Sequence, residues 1–268
     1  MLYTKRYKRI VNKLSNNKKS VYEKIWYVLV SGLMLFAACG SDDDEPTKKG
    51  DKDQAYNVQS IVCSYPSETT GEMVESLILS YEYKDGKVAK IVIDMLDYMK
   101  QEVSFEYTSS TEANYVVKDD KGATQMTGKA CFDANTNVLT KIASDDSETA
   151  LTYDANKQLI SEKTVYDGGS NTIEYVWGNG NLLAADVCAI EYSDIKNNTN
   201  FDFGMMFSSD FPQGTSISQL VGTVSANVPS EITDDEETIT IETQLDAKNR
   251  PVSLVLSSDA VMTITYCE

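Results

Sequence analysis

The chain has 268 residues, with 24 basic against 41 acidic side chains, no histidine and a formal net charge of −17. Residues 1–38 hold 8 of the basic and 1 of the acidic residues, which leaves residues 39–268 with 16 against 40, a net −24. Such a surface repels phosphate backbones and argues against a nucleic-acid partner. Without histidine, neither a Ser-His-Asp nor a Cys-His arrangement can be assembled.

The first element is a leader. Residues 1–24 are basic and polar, and "IWYVLVSGLMLFAA" (Ile25 to Ala38) is an apolar run that ends in small residues before Cys39. A positive region, a short apolar stretch and small residues before a cut form the secretory pattern. At 14 residues the run is shorter than the ~20 a spanning helix needs. "AAC" resembles a bacterial lipobox, which implies removal of residues 1–38 and acylation of Cys39 by chains such as palmitate. Several acyl chains hold a protein stably at a membrane where one holds it marginally. Directly after it, "CGSDDDEP" packs Ser41, Asp42, Asp43, Asp44 and Glu45 together. This acidic knot resembles the export signal of Bacteroidetes surface lipoproteins. The resemblance implies recognition by lipoprotein export machinery and a lipid-anchored position on the outer membrane, facing the exterior. Residues 39–54 have high charge and no aromatic residue, the composition of a flexible tether.

Residues 55–268 read as a single β-rich domain. Strand-like runs rich in Val, Ile, Thr and Tyr recur: "VQSIVCSY", "QEVSFEYT", "NYVVKD", "SNTIEYVW", "DVCAIEYS", "TITIETQL" and "AVMTITYC". Between them one phrase returns, as "YEYKDGKVAKIVI" (Tyr81 to Ile93), "FDANTNVLTKI" (Phe132 to Ile142), "YDANKQLISEKTV" (Tyr153 to Val165), "YVWGNGNLLAADV" (Tyr175 to Val187) and "LDAKNRPVSLVL" (Leu245 to Leu256). Strand, tight polar turn, strand is the β-hairpin signature, and its recurrence predicts an antiparallel meander. The fold class expected is all-β: repeated hairpins forming a curved sheet or open barrel. In the first hairpin, a three-residue loop Lys84-Asp85-Gly86 with a G1 bulge sets Tyr81 against Ala89, Leu79 against Ile91 and Leu77 against Ile93, with one face apolar.

The alternation breaks at "NFDFGMMFSSDFPQGTSISQLVG" (Asn200 to Gly222). This stretch predicts a plug of loop and short helix, with Phe203, Met206 and Phe207 packed on the concave face beside Leu79, Tyr81 and Ile91; Thr215-Ser216 is a cap for a helix to about 220. Cys63, Cys131, Cys188 and Cys267 each sit in a strand-like run. An oxidising compartment permits disulfides in any of three connectivities, and buried free thiols are the other reading. No Cys pair has zinc spacing, and Asp119-Asp120, Asp145-Asp146 and Asp234 to Glu237 read as solvated loop charge, so neither metal nor cofactor is expected.

The Tyr-Asp-Asn turns, "IEYSDIKNNTNFDF" (Ile190 to Phe203) and the "YC" near residue 267 resemble a group of Bacteroidetes lipoproteins described as having a porin-like β-fold. That resemblance implies a curved antiparallel sheet approaching a barrel and no catalytic residues. The expected function is non-enzymatic: a surface-exposed binding or interaction module, with a glycan as its concrete ligand. Trp177, Phe203, Met206 and Phe207 are the candidate contacts. The alternatives are a carrier that holds a lipid or other apolar ligand in a half-barrel cavity, and a structural or adhesive surface protein.

Overall fold

The computed structural model describes residues 55–67, 69–96, 99–136, 138–185, 188–208, 222–234 and 238–268, and for 207 and 208 the backbone alone. The strands are β1 (Val58–Pro66), β2 (Met73–Lys84), β3 (Lys87–Met95), β4 (Met99–Tyr107), β5 (Glu112–Asp119), β6 (Thr124–Phe132), β7 (Leu139–Ser144) and β8 (Ser147–Tyr153). They continue as β9 (Leu159–Tyr166), β10 (Gly169–Gly178), β11 (Asn181–Ala185), β12 (Cys188–Lys196), β13 (Asn227–Thr233), β14 (Thr238–Leu245), β15 (Pro251–Leu256) and β16 (Val261–Tyr266). One short helix, α1 (Phe203–Ser208), lies between β12 and β13. Each strand pairs antiparallel with the next, and β1 pairs with β16, so the expected curved sheet closes completely into a barrel.

The repeated phrase is a turn device. At Asp119, Asp154 and Asp246 the backbone N–H donates to the carbonyl four residues on, and the N–H three residues on donates back. The residue three on is left-handed: Gly122 (φ 75°), Lys157 (φ 64°) and Asn249 (φ 57°). Each aspartate Oδ1 then accepts the N–H groups two and four residues on, at 2.8–3.0 Å. A short acidic side chain satisfies the turn's amides, which is why Asp opens it. Asp133 makes a version one residue longer, with its N–H reaching the Val138 carbonyl.

The first hairpin departs from the expected register. Asp85 (φ 52°) and Gly86 (φ 71°) are both left-handed, so the connection is a two-residue type I′ turn, not a three-residue loop. The extra residue lies instead at a bulge between Glu82 and Tyr83, which pairs Tyr81 with Ile91 and Leu79 with Ile93. The apolar face survives because the bulge moved into the strand while the total offset still put like faces together.

Alternate side chains point inward and form one core cluster that draws on strands all around the barrel, from Ile61, Leu79 and Ile91 to Leu159, Leu254 and Ile264. A round barrel of sixteen strands at ~4.8 Å spacing and ~40° tilt has a radius of roughly 16 Å and leaves an aqueous lumen. Here Val88, Val103, Val117, Leu139, Leu182 and Leu254 are 0 % exposed, so no water-sized space adjoins them. The interior around these residues is therefore filled with packed side chains and not with a water-filled lumen. The outer face is polar. Lys90 bridges Glu82 (2.5 Å) and Glu102 (3.7 Å), Lys100 meets Asp94 (2.6 Å) and Lys141 meets Glu148 (2.6 Å).

All four described cysteines are free thiols, with Cys63 and Cys188 buried. Burial pushes the Cys63 thiol up to about 12, which leaves it an inert core residue.

Candidate functional site

In an antiparallel meander the connections alternate between two ends. The β12–β13 connection and the start of β1 share one end, and a backbone bridge joins Tyr56 to Thr199 there. Two asparagines organise it. Asn197 accepts from the Thr199 N–H (3.1 Å) and hydroxyl (2.8 Å), and its Nδ2 donates to the carbonyls of Phe201 (2.8 Å) and Ser225 (3.1 Å). Asn200 Oδ1 accepts the Val58 N–H (3.0 Å), while the Tyr83 hydroxyl donates to the Val58 carbonyl (2.8 Å). The plug is thereby stitched to the first strand.

Asp202 starts the helix. Its Oδ1 accepts the Met205 N–H (3.0 Å), and its Oδ2 accepts the Ser225 N–H (2.6 Å) and hydroxyl (2.9 Å). This is an N-cap that also fastens the outgoing and returning chains together. Burial holds the carboxyl above the usual carboxylate range, and the donors pull the other way. Phe201 meets Tyr81 edge-on at 6.4 Å between ring centres and Phe203 at 5.1 Å. Phe203 and Met206 are each 1 % exposed and belong to the core cluster with Leu79, Tyr81 and Ile91. The side chain of Phe207, residues 209–221 with Thr215 and Ser216, and all of residues 39–54, including Cys39, Ser41, Asp42, Asp43, Asp44 and Glu45, lie outside the described residues.

Trp177 is half-buried against the core, and its indole N–H donates to the Leu159 carbonyl at 2.7 Å. Asp145 and Asp146 stand exposed in the β7–β8 turn. Among the described residues, no three Cys, Asp or Glu side chains gather closely enough to hold a metal ion.

A second polar group lies in the barrel wall, and no local motif marks it. Glu162, on the inner face of β9, is 7 % exposed and accepts the Tyr175 hydroxyl at 3.2 Å. Burial pushes its carboxyl up to about 7, against the weaker opposite pull of that hydrogen bond. The hydroxyls of Thr149 and Thr164 pair beside it in the strand register, at 3.0 Å. The buried Tyr153 hydroxyl has no hydrogen-bond partner. The only signal for this group was position: Glu162 and Thr164 occupy inward places once Leu151 and Thr149 are set opposite them.

The wall does not carry the polarity pattern of a membrane-spanning barrel. A transmembrane barrel carries an apolar band outward and a polar interior. Here mid-strand outward positions hold Lys90, Glu102, Lys129, Lys163 and Glu174 beside exposed Val165 and Val176, and the interior is largely apolar. Each Lys at a bilayer midplane costs about 2–4 kcal/mol, so this wall faces water. Among the described residues no helix is long and apolar enough to cross a membrane.

Solved structures with this fold include a porin-like protein from Bacteroides uniformis, with a TM-score of 0.58, 14 % identity, and 78 % of this chain and 98 % of that one covered. The likeness is one of fold. No protein-family model matches the chain, and no curated protein matches it.

Proposed function

We propose that this chain is a lipid-anchored outer-membrane protein, facing the cell exterior, whose filled β-barrel is a non-catalytic binding or interaction module. The observation that carries the reading is the polarity of the wall, charged outside and largely apolar inside. A barrel so built stays in water, and attachment then falls to the chain before Tyr56, where the lipobox-like "AAC" ends at Cys39 and the acidic knot Asp42 to Glu45 follows. The ligand class that suits an exterior, aromatic-bearing module is a glycan, with Trp177 on the β10 side of the wall as the first residue to examine. Residues Phe203 and Met206 are committed to the core and are not contacts in this reading. A carrier of apolar ligand would have to displace side chains that already fill the interior, and an adhesive or structural role would use the outer face alone.

The test is made on the whole chain in its host. Cys39→Ser should leave an unacylated precursor that no longer partitions into detergent, and replacement of Asp42, Asp43 and Asp44 by Ala should keep acylation while losing antibody labelling of intact cells. A Cys39→Ser protein of mature size that still partitions into detergent would remove the anchoring reading. Glycan arrays and native mass spectrometry for co-purifying lipid then separate the two ligand classes.

A further inference from the structure

The β9–β10 hairpin projects past the strand that follows it. β9 pairs with β8 along its whole length, from Leu159 opposite Tyr153 to Tyr166 opposite Ser147. β10 pairs with β9 over Gly169–Glu174, whereas among the described residues it pairs with β11 only over Tyr175–Gly178. The first half of β10 is therefore an arm laid on β9, with no second described strand beside it. Its inward side chains lose cover toward the tip: Tyr175 is buried, Ile173 half-buried and Asn171 exposed. Glu162 lies opposite Ile173, one strand in from this edge.

The surroundings of Glu162 suit a neutral acid and not an anion. Its carboxyl meets the Tyr175 hydroxyl from β10, and the Tyr153 hydroxyl from β8 is the other titratable group that faces it. Thr164 on β9 and Thr149 and Leu151 on β8 complete the inner face around it. The charged residues of these strands, Glu148, Lys163 and Glu174, are exposed on the outer face. Burial and the Tyr175 hydrogen bond are what act on the carboxyl, so no described lysine or arginine offsets a charge there. A buried anion without a partner is costly until water reaches it. The neighbour that can yield with the fewest pairings broken is the β10 arm. We propose that Glu162 is a proton latch: protonated, it keeps the arm Gly169–Glu174 closed on β9, and ionised, it lets the arm part from β9 and admit water to the interior there while the other strands stay paired. The closed form holds the proton up to about pH 7, and the open form releases it near the ordinary glutamate value of ~4.3. The closed form therefore binds more protons between these values, and opening becomes easier as pH rises. From pH 5 to pH 7 the opening equilibrium grows about fortyfold, and above pH 7 it levels off.

Amide hydrogen exchange of the purified full chain at pH 5 and pH 7, corrected for the intrinsic pH dependence of exchange, reads the opening strand by strand. Over Ser161–Glu174 the opening constant should rise about fortyfold between the two pH values. Over β3 and β4, which pair on both sides, it should change by less than about threefold. Glu162→Gln cannot ionise and should show the same protection of Ser161–Glu174 at both pH values. A rise shared equally by all strands would make Glu162 a matter of whole-barrel stability alone and overturn the latch. No rise in any strand overturns it too, as does a Gln variant that keeps the fortyfold rise. If Glu162→Gln does not fold, the comparison of strands within the unaltered protein still decides.

Discussion

Gly128 and Gly86 show two different reasons for a glycine. Gly128 lies opposite Tyr115 in the β5–β6 pairing, and a Cβ there would run into the Tyr115 ring and the Ala143 carbonyl. Gly86 has open space around it but a φ of 71°. Gly86→Ala should cost about 1 kcal/mol from backbone strain. Gly128→Ala should cost more, about 1–3 kcal/mol or beyond, because a packed wall must move. Chemical denaturation of the two variants checks the order. Glu162 gives a second residue-scale expectation. The native state keeps a proton that the unfolded chain releases near the ordinary glutamate value of ~4.3. Stability from this group is complete below about pH 4.5 and is lost as pH rises to about 7, by about 3–4 kcal/mol, after which it is flat. Glu162→Gln keeps the shape and should remove that slope; unfolding free energies of both proteins between about pH 4.5 and pH 7.5 measure it. Neither residue was legible in the sequence. The role of each depends on which residue the neighbouring strand sets across from it, Tyr115 for Gly128 and Leu151 for Glu162.

At the scale of elements, local chemistry was readable and offsets were not. "DANKQ" and "DAKNR" announced their turns, since the aspartate and the left-handed residue are both within five positions. The first hairpin's apolar face was readable too, but two arrangements give it, a longer loop or a bulge, and the sequence favours neither. β13 escaped notice because Pro229 interrupts its pattern; it is tolerated where the β12–β13 ladder already shifts between Glu191 and Tyr192. The plug was legible as a break in alternation, and Asp202 before Phe203 is a cap signal that could have fixed the start of α1. Phe203 is 1 % exposed and packed against Phe201, so Phe203→Ala should cost about 3–5 kcal/mol, readable as a fall in Tm. A variant that melts with the native protein would place this ring outside the core.

For the molecule as a whole, closure was the feature the sequence hid. Val58 to Ser64 pair with Val261 to Tyr266, some two hundred positions away, and nothing local marks either strand as a partner of the other. Closure and filling together give a functional expectation: the purified protein added to a planar bilayer should produce no ion conductance, because the interior is occupied by side chains and the outside is charged. Discrete conductance steps would mean that the walls can part.

Closure also sets an order of events in time. β1 emerges first from any machine that delivers the chain from its N-terminal side, and it finds β2 at once. Its other neighbour, β16, follows after every other strand has passed. Pairings across such a separation form slowly, and until then β1 and the newest strand are both unpaired edges open to other chains. A chain exported as proposed above would have to remain threadable until it has crossed. Here the threadable state lasts by construction: the barrel cannot be sealed ahead of Val261–Tyr266, however quickly its individual hairpins form.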